Sequence, residues 1–315
     1  MSQPRVLYMG YGETGCFCLS ELVAAGFDVA GVFCRANDRT ERPGGESSSV
    51  FTLTRGLGLP LFEETNPNEP AFLAAIAESA PDLLLSVQYD RILKPPLLAI
   101  PRHGAYNLHY GPLPRLRGCF PTKWAILEDE PAGVTFHVID PGIDSGDVID
   151  QILVPLNAGE TDRSLYLRLE EAGRDLFRRQ LGWLRTLEPP RRQPQDESRA
   201  SYHPKQPPYD GILDWERDAV WLERFLRAFT FPPHPAAKTW YEGAEVQLRA
   251  PAELGGDLPG RVAGDIVFLD DGRIAIQCGR GSVIVATVLV EGEQQPASEL
   301  RRPDVPSPRF STETS

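Results

Sequence analysis

The sequence contains no apolar run that approaches the roughly 18 uninterrupted residues of a membrane-spanning helix. Its first twelve residues, MSQPRVLYMGYG, lack the basic-then-apolar order of a secretion signal. Only five cysteines occur among 315 residues, and none has the Cys-x-x-Cys spacing of a metal site. We therefore expect a cytoplasmic protein with inert thiols, no disulfide framework, no membrane association and no bound metal.

Basic residues are also in short supply. The chain has 32 of them against 44 acidic residues, a net charge of −12. Residues 206–315 hold 17 acidic and 11 basic side chains, so each part of the chain carries a net charge of −6. Proteins that bind nucleic acid concentrate positive charge where the phosphates lie. The even distribution therefore disfavours a nucleic-acid partner.

The overall composition, 41% apolar and 24% charged, is that of a globular chain of about two domains. In the first half, short apolar runs alternate with segments of helical periodicity, which predicts an α/β domain with a mostly parallel, Rossmann-like sheet. The predicted strands cover residues 5–9, 27–34, 59–62, 82–87 and 133–139. The predicted helices cover residues 14–25, 69–78 and 162–187.

The composition changes after residue 187. Residues 188–210 contain six prolines and few apolar residues, which predicts a linker. A helix near residues 218–229 and strands at 265–269, 273–278 and 282–290 follow, a pattern typical of a small, OB-like β-barrel. The predicted organisation is an α/β domain at 1–187, a linker at 188–210, a C-terminal β-barrel domain at 211–302 and a flexible tail at 303–315.

A Gly-x-Gly-x-x-Gly motif, Gly10 to Gly15, lies between the first strand and the first helix. Such glycines allow a pyrophosphate to approach a helix N-terminus. The acidic residue that would bind the ribose is missing, because Cys34 and Arg35 end the second strand, although an arginine suits a 2′-phosphate. The motif is compatible with an NADP-binding oxidoreductase and with a tight turn that only feeds the helix.

Polar side chains that suggest catalysis lie between residues 106 and 151. Asn107 and His109 alternate along an extended segment and therefore point to the same side. An amide beside an imidazole can donate to an oxyanion and move a proton. The turn at residues 140–147 offers carboxylates that could orient the imidazole. The spacing alone is compatible with catalysis and with a purely structural histidine.

Several short blocks follow one another in this stretch. They are Asn-Leu-His at 107–109, LPRLRG at 113–118, Pro121, Trp-Ala-Ile at 124–126, Gly-Val-Thr at 133–135 and GIDSGD at 142–147. In this order and without gaps, they resemble the core of the 10-formyltetrahydrofolate-dependent formyltransferases. Weaker similarity extends to residues 202–205 and 210–215. Two departures stand out, because Gly111-Pro112 replaces a Ser-Leu pair and Leu116 replaces a frequent aromatic residue.

The resemblance implies acyl transfer by a catalytic trio of Asn107, His109 and Asp144. An amine would attack the formyl carbon of 10-formyltetrahydrofolate, Asn107 and protonated His109 would stabilise the oxyanion, and Asp144 would hold the imidazole. The residues implied to bind the folate are Ser86, Val87, Gln88, Tyr89, Ile92, Leu93, Asp140, Gly142 and Ile143. The family uses no metal, and no nicotinamide at the glycine turn. A folate-binding module without turnover would be expected to have lost a member of the trio, which is intact.

The acceptor amine distinguishes two branches of this family. The branch that formylates initiator methionyl-tRNA carries a basic insertion after the second strand, but residues 35–50 here hold three arginines and three acidic residues. The other branch formylates small amines, especially amino sugars on nucleotide carriers. The small-amine branch is favoured. Within it, a nucleotide-linked amino sugar is the leading acceptor and a natural-product or siderophore amine is the second choice. Initiator methionyl-tRNA is the alternative acceptor from the other branch.

A cluster of cations near the trio suits a diphosphate. The candidate acceptor-binding residues are Arg115, Arg117, Lys123 and Trp124. The same charges could equally solvate the loop or pair with Glu128 and Asp129.

Overall fold

The computed structural model describes residues 3–34, 40–41, 47–63, 66–231, 236–302, 304–305 and 307–313. The chain forms two compact units. The first comprises Met1–Pro121, Pro131–Pro155 and Leu167–His203, and the second comprises Thr122–Glu130, Leu156–Tyr166 and Pro204–Ser315. Arg35 and most of the neutral 35–50 segment lie outside the described residues. Within the described ranges, no helix is both long and apolar enough to span a bilayer.

The elements up to residue 203 alternate between strands and helices. The strands are β1 (Arg5–Gly10), β2 (Asp28–Cys34), β3 (Thr40–Glu41), β4 (Ser47–Ser48), β5 (Leu61–Glu63), β6 (Leu83–Val87), β7 (Ala105–His109), β8 (Arg117–Gly118), β9 (Ala132–Val138), β10 (Val148–Val154) and β11 (Tyr202–His203). The helices are α1 (Gly12–Ala24), α2 (Val50–Gly56), α3 (Pro70–Ser79), α4 (Pro95–Leu98), α5 (Pro121–Glu128) and α6 (Asp162–Thr186).

The first unit is built on a seven-stranded sheet in the order β10-β9-β7-β6-β1-β2-β5. Strands β5, β2, β1, β6 and β7 are parallel, whereas β9 and β10 are antiparallel to their neighbours. The parallel strands are continuous apolar runs because both faces of the sheet are covered. The mostly parallel, Rossmann-like sheet is thus confirmed. Its strand order reverses between β1 and β6, the point at which open α/β sheets form a ligand crevice.

One hydrophobic cluster joins strands β1, β2, β6 and β7 to helices on one side of the sheet. Its buried members are Leu7, Met9, Phe33, Ile76, Leu84, Leu93, Leu97 and Ala105. Burial of a large apolar side chain stabilises a fold by about 1.5–3 kcal/mol. Through Leu93 and Leu97, this cluster anchors the segment that follows β6 to the sheet.

The side chain of Tyr8 packs into the glycine-rich turn after β1. The ring of Tyr8 lies against Gly10, where an added Cβ would come within 2.7 Å of a ring carbon. The Tyr8 hydroxyl donates to the carbonyl of Gly15 at 2.7 Å. Gly12 has a φ of 65°, which glycine adopts without strain. The motif therefore accommodates a buried tyrosine in a tight turn, which argues against the NADP interpretation.

The second unit contains one further helix, α7 (Ala219–Ala228), and antiparallel strands. These strands are β12 (Ala237–Tyr241), β13 (Ala244–Leu248), β14 (Glu253–Gly255), β15 (Ile266–Phe268), β16 (Ile274–Gln277), β17 (Ser282–Val285), β18 (Thr287–Val290) and β19 (Glu293–Pro296). They form two four-stranded sheets, β12-β13-β18-β19 and β14-β17-β16-β15. The single strand predicted at 282–290 is wrong, because the chain leaves one sheet and enters the other at Ala286.

The predicted tail is also corrected by the structure. Ser311 pairs with Trp240 of β12, and Arg309 pairs with Asp265 beside β15. Between them, Phe310 is buried and stacks on Trp215 with ring centroids 5.6 Å apart. This segment therefore joins the two sheets of the second unit instead of fraying, because an aromatic side chain anchors it.

Residues 188–203, predicted as a linker, pack within the first unit. Gln193 exchanges two backbone hydrogen bonds of 2.8 Å with Val148. Further along, β11 pairs in parallel with β8. The prolines in this segment therefore belong to an ordered surface crossing that returns to the sheet.

Candidate active site

Strand β7 places two polar side chains near the carboxyl end of the parallel sheet. Asn107 and His109 are two residues apart, so they lie on the same face of β7. The neighbouring strand β9 is antiparallel and sets His137 opposite Asn107 and Thr135 opposite His109. The side chains of His109, Thr135 and His137 are buried. The sheet register thus brings two imidazoles and one amide together.

Asp144 reaches the same place from the loop after β9. Its Oδ2 lies 3.6 Å from Nδ1 of His109 and accepts the backbone N–H of Gly118 at 2.9 Å. Its Oδ1 lies 3.5 Å from Nδ2 of Asn107 and 3.5 Å from Nε2 of His137. The structure therefore brings the three residues of the predicted trio together around one carboxylate.

The charge of Asp144 is set by competing effects. Burial by itself raises the pKa of this carboxyl, but the imidazoles of His109 and His137 and the Gly118 amide hold the pKa well below its usual range. Asp144 is therefore ionised at neutral pH. The ionised carboxylate faces Nδ1 of His109 at 3.6 Å, where it favours a hydrogen on that nitrogen and orients the ring.

His109 has an acceptor at each ring nitrogen. Nδ1 faces the Asp144 carboxylate, and Nε2 lies 2.9 Å from the backbone oxygen of Leu116. Because both neighbours only accept hydrogen bonds, the surroundings suit a ring that carries a proton on each nitrogen. Such a ring can stabilise an oxyanion and deliver a proton.

His137 belongs to the site but was not among the predicted site residues. Its Nδ1 donates to the carbonyl of Val138 at 2.8 Å, so Nε2 is the nitrogen that faces the trio. Nε2 lies 3.2 Å from Nδ2 of Asn107. Without a hydrogen, Nε2 of His137 can accept from Asn107. With a hydrogen, the same nitrogen can donate to Asp144. The antiparallel pairing of 133–139 with 105–109 would have revealed it, but sequence periodicity does not give the register.

The predicted folate segment begins at the end of β6. Ser86 and Val87 are buried within the strand, and Leu93 belongs to the hydrophobic cluster. Gln88 turns the chain with a φ of 57°. Tyr89 packs at the edge of the cluster and stacks on Tyr11, with ring centroids 5.1 Å apart. Ser86, Val87 and Leu93 therefore support this segment, and Tyr89 is its more accessible aromatic surface.

Two apolar side chains among the predicted folate-binding residues are open to solvent. Ile92 is 65% exposed, and Ile143 in the turn after β9 is 39% exposed. That turn is held by Asp140, whose Oδ1 accepts the N–H of Gly142 at 3.0 Å and the hydroxyl of Ser145 at 2.8 Å. Exposed isoleucines on ordered loops offer a surface on which a flat ring can pack.

The four candidate acceptor residues differ in their surroundings. Arg117 is 8% exposed and bonded to Gln195 and Glu197. Lys123 is 1% exposed and donates to Asp162 at 2.5 Å and to the carbonyl of Ala228 at 2.8 Å.

The internal contacts of Arg117 and Lys123 occupy both charges, so neither is presented to a diphosphate. Trp124 packs beside Tyr209 with centroids 5.9 Å apart. Arg115 is half-buried. Asp129, considered as a partner for these cations, pairs instead with Arg224.

Two family models cover most of the chain. Residues 21–181 match the model described as formyl transferase, and residues 206–301 match the model described as formyl transferase, C-terminal domain. The chain belongs to the formyl transferase family, and it is a formyltransferase, an enzyme that moves a one-carbon group. The resemblance found in the sequence is therefore confirmed.

Similar curated proteins match over nearly their full length. The chain is 30% identical over 309 residues to the methionyl-tRNA formyltransferase of Geobacter sulfurreducens, covering 95% of this chain and 94% of the relative. It is 28% identical over 301 residues to that of Geotalea uraniireducens, covering 94% and 93%.

Solved structures share the fold at lower identity. An N-formyltransferase from Helicobacter canadensis, in complex with folinic acid and dTDP-3-aminofucose, aligns with a TM-score of 0.67 at 20% identity, covering 90% of this chain and 98% of that chain. HypX from Aquifex aeolicus, in complex with tetrahydrofolic acid, aligns with a TM-score of 0.61 at 19% identity, covering 95% and 47%. At these identities the likeness concerns the fold.

Proposed function

We propose that this formyltransferase transfers the formyl group of 10-formyltetrahydrofolate to the amine of a small molecule, with a nucleotide-linked amino sugar as the leading acceptor class. The observation that carries the chemistry is the convergence of Asn107, His109 and Asp144 at the carboxyl end of β7. An amide, an imidazole and an ionised carboxylate in contact are the groups that an acyl transfer through a tetrahedral oxyanion needs.

The first step is attack of the neutral amine on the formyl carbon, which turns the formyl oxygen into an oxyanion. Nδ2 of Asn107 carries two hydrogens. One is directed to His137 at 3.2 Å, and the other faces Asp144 at 3.5 Å, the limit of a hydrogen bond. Because this second hydrogen bond is long, the hydrogen can be redirected to the oxyanion when substrate binds. His109, protonated on both nitrogens, is the second donor.

The second step is loss of the folate nitrogen. The attacking amine becomes cationic and must lose a proton, and the departing nitrogen must gain one. Doubly protonated His109 gives its Nε2 proton to the departing folate nitrogen, and the neutral ring then takes the proton of the former amine. Asp144 stays ionised and holds the ring in place throughout. Nε2 of His109 reaches the reacting atoms when its hydrogen bond to the Leu116 carbonyl is replaced by one to the substrate.

The acceptor proposal rests mainly on charge. Residues 206–315, which include the C-terminal family match, carry a net charge of −6. A surface that grips tRNA phosphates would be expected to hold a basic surplus. The relative from Helicobacter canadensis binds a nucleotide amino sugar, which supports the choice of acceptor class. Arg115 is kept as a candidate for a diphosphate contact.

A second acceptor, initiator methionyl-tRNA, is favoured by one specific observation. The methionyl-tRNA formyltransferase of Geobacter sulfurreducens is 30% identical over 95% of this chain. Because the two branches share the one-carbon chemistry, this identity supports formyl transfer in either case.

An acceptor panel separates the two candidates. The purified protein is incubated with 10-formyltetrahydrofolate and, separately, a dTDP-linked 3-amino sugar, a hydroxylated amino acid and charged initiator tRNA. We expect the fastest release of tetrahydrofolate with the amino sugar. Formylation of the tRNA at the highest kcat/KM would overturn the choice of acceptor. Absence of thermal protection by saturating folinic acid would contradict the folate assignment.

A further inference from the structure

The segment that follows α6 crosses the catalytic end of the first unit. It is fixed at one end by the pairing of Gln193 with Val148 and at the other by the pairing of β11 with β8. We name residues 193–203 the strap. Between its fixed ends, three strap side chains turn toward the loops that carry the catalytic groups.

Gln195 is the central contact of the strap. Its Nε2 donates to the backbone oxygen of Asp144 at 2.8 Å and to that of Gly146 at 2.7 Å. Its Oε1 accepts from Nε of Arg117 at 3.1 Å and from Nη2 of Arg117 at 2.8 Å. Both hydrogens and both lone pairs of this amide are thus used, which is the full capacity of a glutamine side chain.

Glu197 and Ser201 extend the same network. Glu197 accepts two hydrogen bonds from Arg117, at 3.0 and 2.7 Å, in a bidentate pair. Ser201 Oγ accepts the backbone N–H of Leu116 at 2.9 Å. The strap therefore contacts both loops that touch the trio, the one with Leu116 and Gly118 and the one with Asp144.

Two of the residues that the strap holds have backbone conformations of high energy. Asp144 has a φ of 52° and Leu116 a φ of 60°, both in the left-handed region. Leucine rarely adopts it, and such a conformation persists only where the surroundings over-determine it. Leu116 presents its carbonyl to His109, and Asp144 presents its carboxylate to the same ring. The strained backbone is thus part of the geometry around His109.

We propose that Gln195 is a positioning residue for formyl transfer, which acts by fixing the loop of Asp144 against Arg117 and so sets the carboxylate against His109. This inference rests on the proposed roles of Asn107, His109 and Asp144. It also gives Arg117 a function inside the protein, since both edges of its guanidinium are occupied by the strap.

Three variants test the donor role of Gln195. Gln195→Ala removes all four hydrogen bonds. Gln195→Glu keeps the size and the acceptors for Arg117 but cannot donate to the carbonyls of Asp144 and Gly146. Gln193→Ala is the matched control, because the side chain of Gln193 lies on the same strap and is exposed. Thermal unfolding of each variant shows whether it is folded.

The expected result is a kcat about 10- to 100-fold lower in both Gln195 variants, because a small displacement of a catalytic group has an effect of this size. KM for 10-formyltetrahydrofolate should change less than threefold. Gln193→Ala should match the wild type. Turnover is measured with whichever amine of the acceptor panel the wild type formylates.

A readout without substrate follows the carboxylate itself. In protein labelled with ¹³C at the aspartate carboxyls, the signal of Asp144, identified by its loss in Asp144→Asn, should remain that of an ionised group throughout the mildly acidic range. In both Gln195 variants the signal should titrate at higher pH, because the carboxylate moves away from His109, His137 and the Gly118 amide. The Gln193 control should behave as the wild type.

Two results would overturn the inference. If the Asp144 signal of Gln195→Ala titrates as in the control, the strap does not position the carboxylate. If Gln195→Glu restores both titration and turnover, the hydrogen bonds to Asp144 and Gly146 are not the cause. Near-normal turnover of Asp144→Asn is a different outcome, because it would refute the proposed catalytic trio rather than the role of the strap.

Discussion

Substitution of Gly111 by alanine is expected to damage the site through His109 and the backbone carbonyl that it contacts. Gly111 follows the histidine by two residues, and an added Cβ would lie 2.5 Å from Nε2 of His109 and 2.8 Å from the backbone oxygen of Leu116. Both distances are far below van der Waals contact. Movement of the imidazole relieves only the first contact, so the backbone at Leu116 must shift as well, and the 2.9 Å hydrogen bond between the two groups is lost.

The magnitude follows from the contacts that are lost. Overpacking by one methyl group in a filled site costs about 1–3 kcal/mol, and a hydrogen bond to a charged group contributes about 1.5–3 kcal/mol. If about 1.5–3 kcal/mol appears in the transition state, kcat falls about 10- to 150-fold. Binding of the folate, whose proposed contacts lie at Tyr89, Ile92 and Ile143, should change little.

The assay is steady-state release of tetrahydrofolate by Gly111→Ala, with thermal unfolding as a test of folding. Gly182→Ala is the matched control, because Gly182 lies within α6 and a Cβ there meets no atom within 4 Å. Alanine in a helix is more favourable than glycine by about 0.5–1 kcal/mol, so this control should be as active as the wild type and no less stable. A kcat of Gly111→Ala within twofold of this control would refute the steric reasoning.

Other parts of the site and fold give four further predictions. His109→Ala and Asp144→Asn should each lower kcat at least about 100-fold while leaving the protein folded; near-normal turnover of either would contradict the mechanism. Because the pKa of Asp144 is lowered in the folded protein, the ionised carboxylate stabilises the fold fully above the ordinary aspartate pKa of about 3.9. This stabilisation is lost as the pH falls through the lower pKa of the folded state. Asp144→Asn should therefore flatten the acid side of the pH–stability curve, as measured by thermal unfolding. His137→Phe removes both ring nitrogens and should lower kcat about 10-fold with little change in KM, whereas an unchanged kcat would make His137 purely a packing residue. Lys123→Met leaves Asp162 buried without its cation and should destabilise the protein by about 3–5 kcal/mol, as measured by denaturant unfolding, and Lys123→Met/Asp162→Asn should recover part of this loss.

The sheet could be predicted because its strands are covered on both faces. In Leu83–Val87, apolar residues fill successive positions instead of alternating with polar ones, which distinguishes a buried parallel strand from a half-exposed one. The ends of the elements shifted by one or two residues, as when the helix predicted at 14–25 began at Gly12 after a Tyr11 that provides no side-chain cap.

The site was predictable only where its residues are close in sequence. Asn107 and His109 could be placed together by the alternation of a strand, whereas Asp144 came from the family resemblance. His137 depends on the register of β9 against β7, which no local pattern gives. The contacts of Gln195 were missed for a related reason, since a proline-rich stretch of low hydrophobicity predicts a linker whether or not its polar side chains are satisfied elsewhere.

The hydrogen bonds of Arg117 bear on which residues can determine the choice of acceptor. Arg117 lies in the LPRLRG block by which the family is recognised, and a positive charge beside the trio suggests contact with a phosphate. In the structure its guanidinium is bonded to Gln195 and Glu197 and is 8% exposed. Release of Arg117 to an acceptor would break four hydrogen bonds and loosen the loop of Asp144 at the same time. If Gln195 positions the loop of Asp144 as proposed, Arg117 serves the geometry of formyl transfer rather than the choice of acceptor. Substitutions that test acceptor specificity should therefore be made at residues outside these hydrogen bonds.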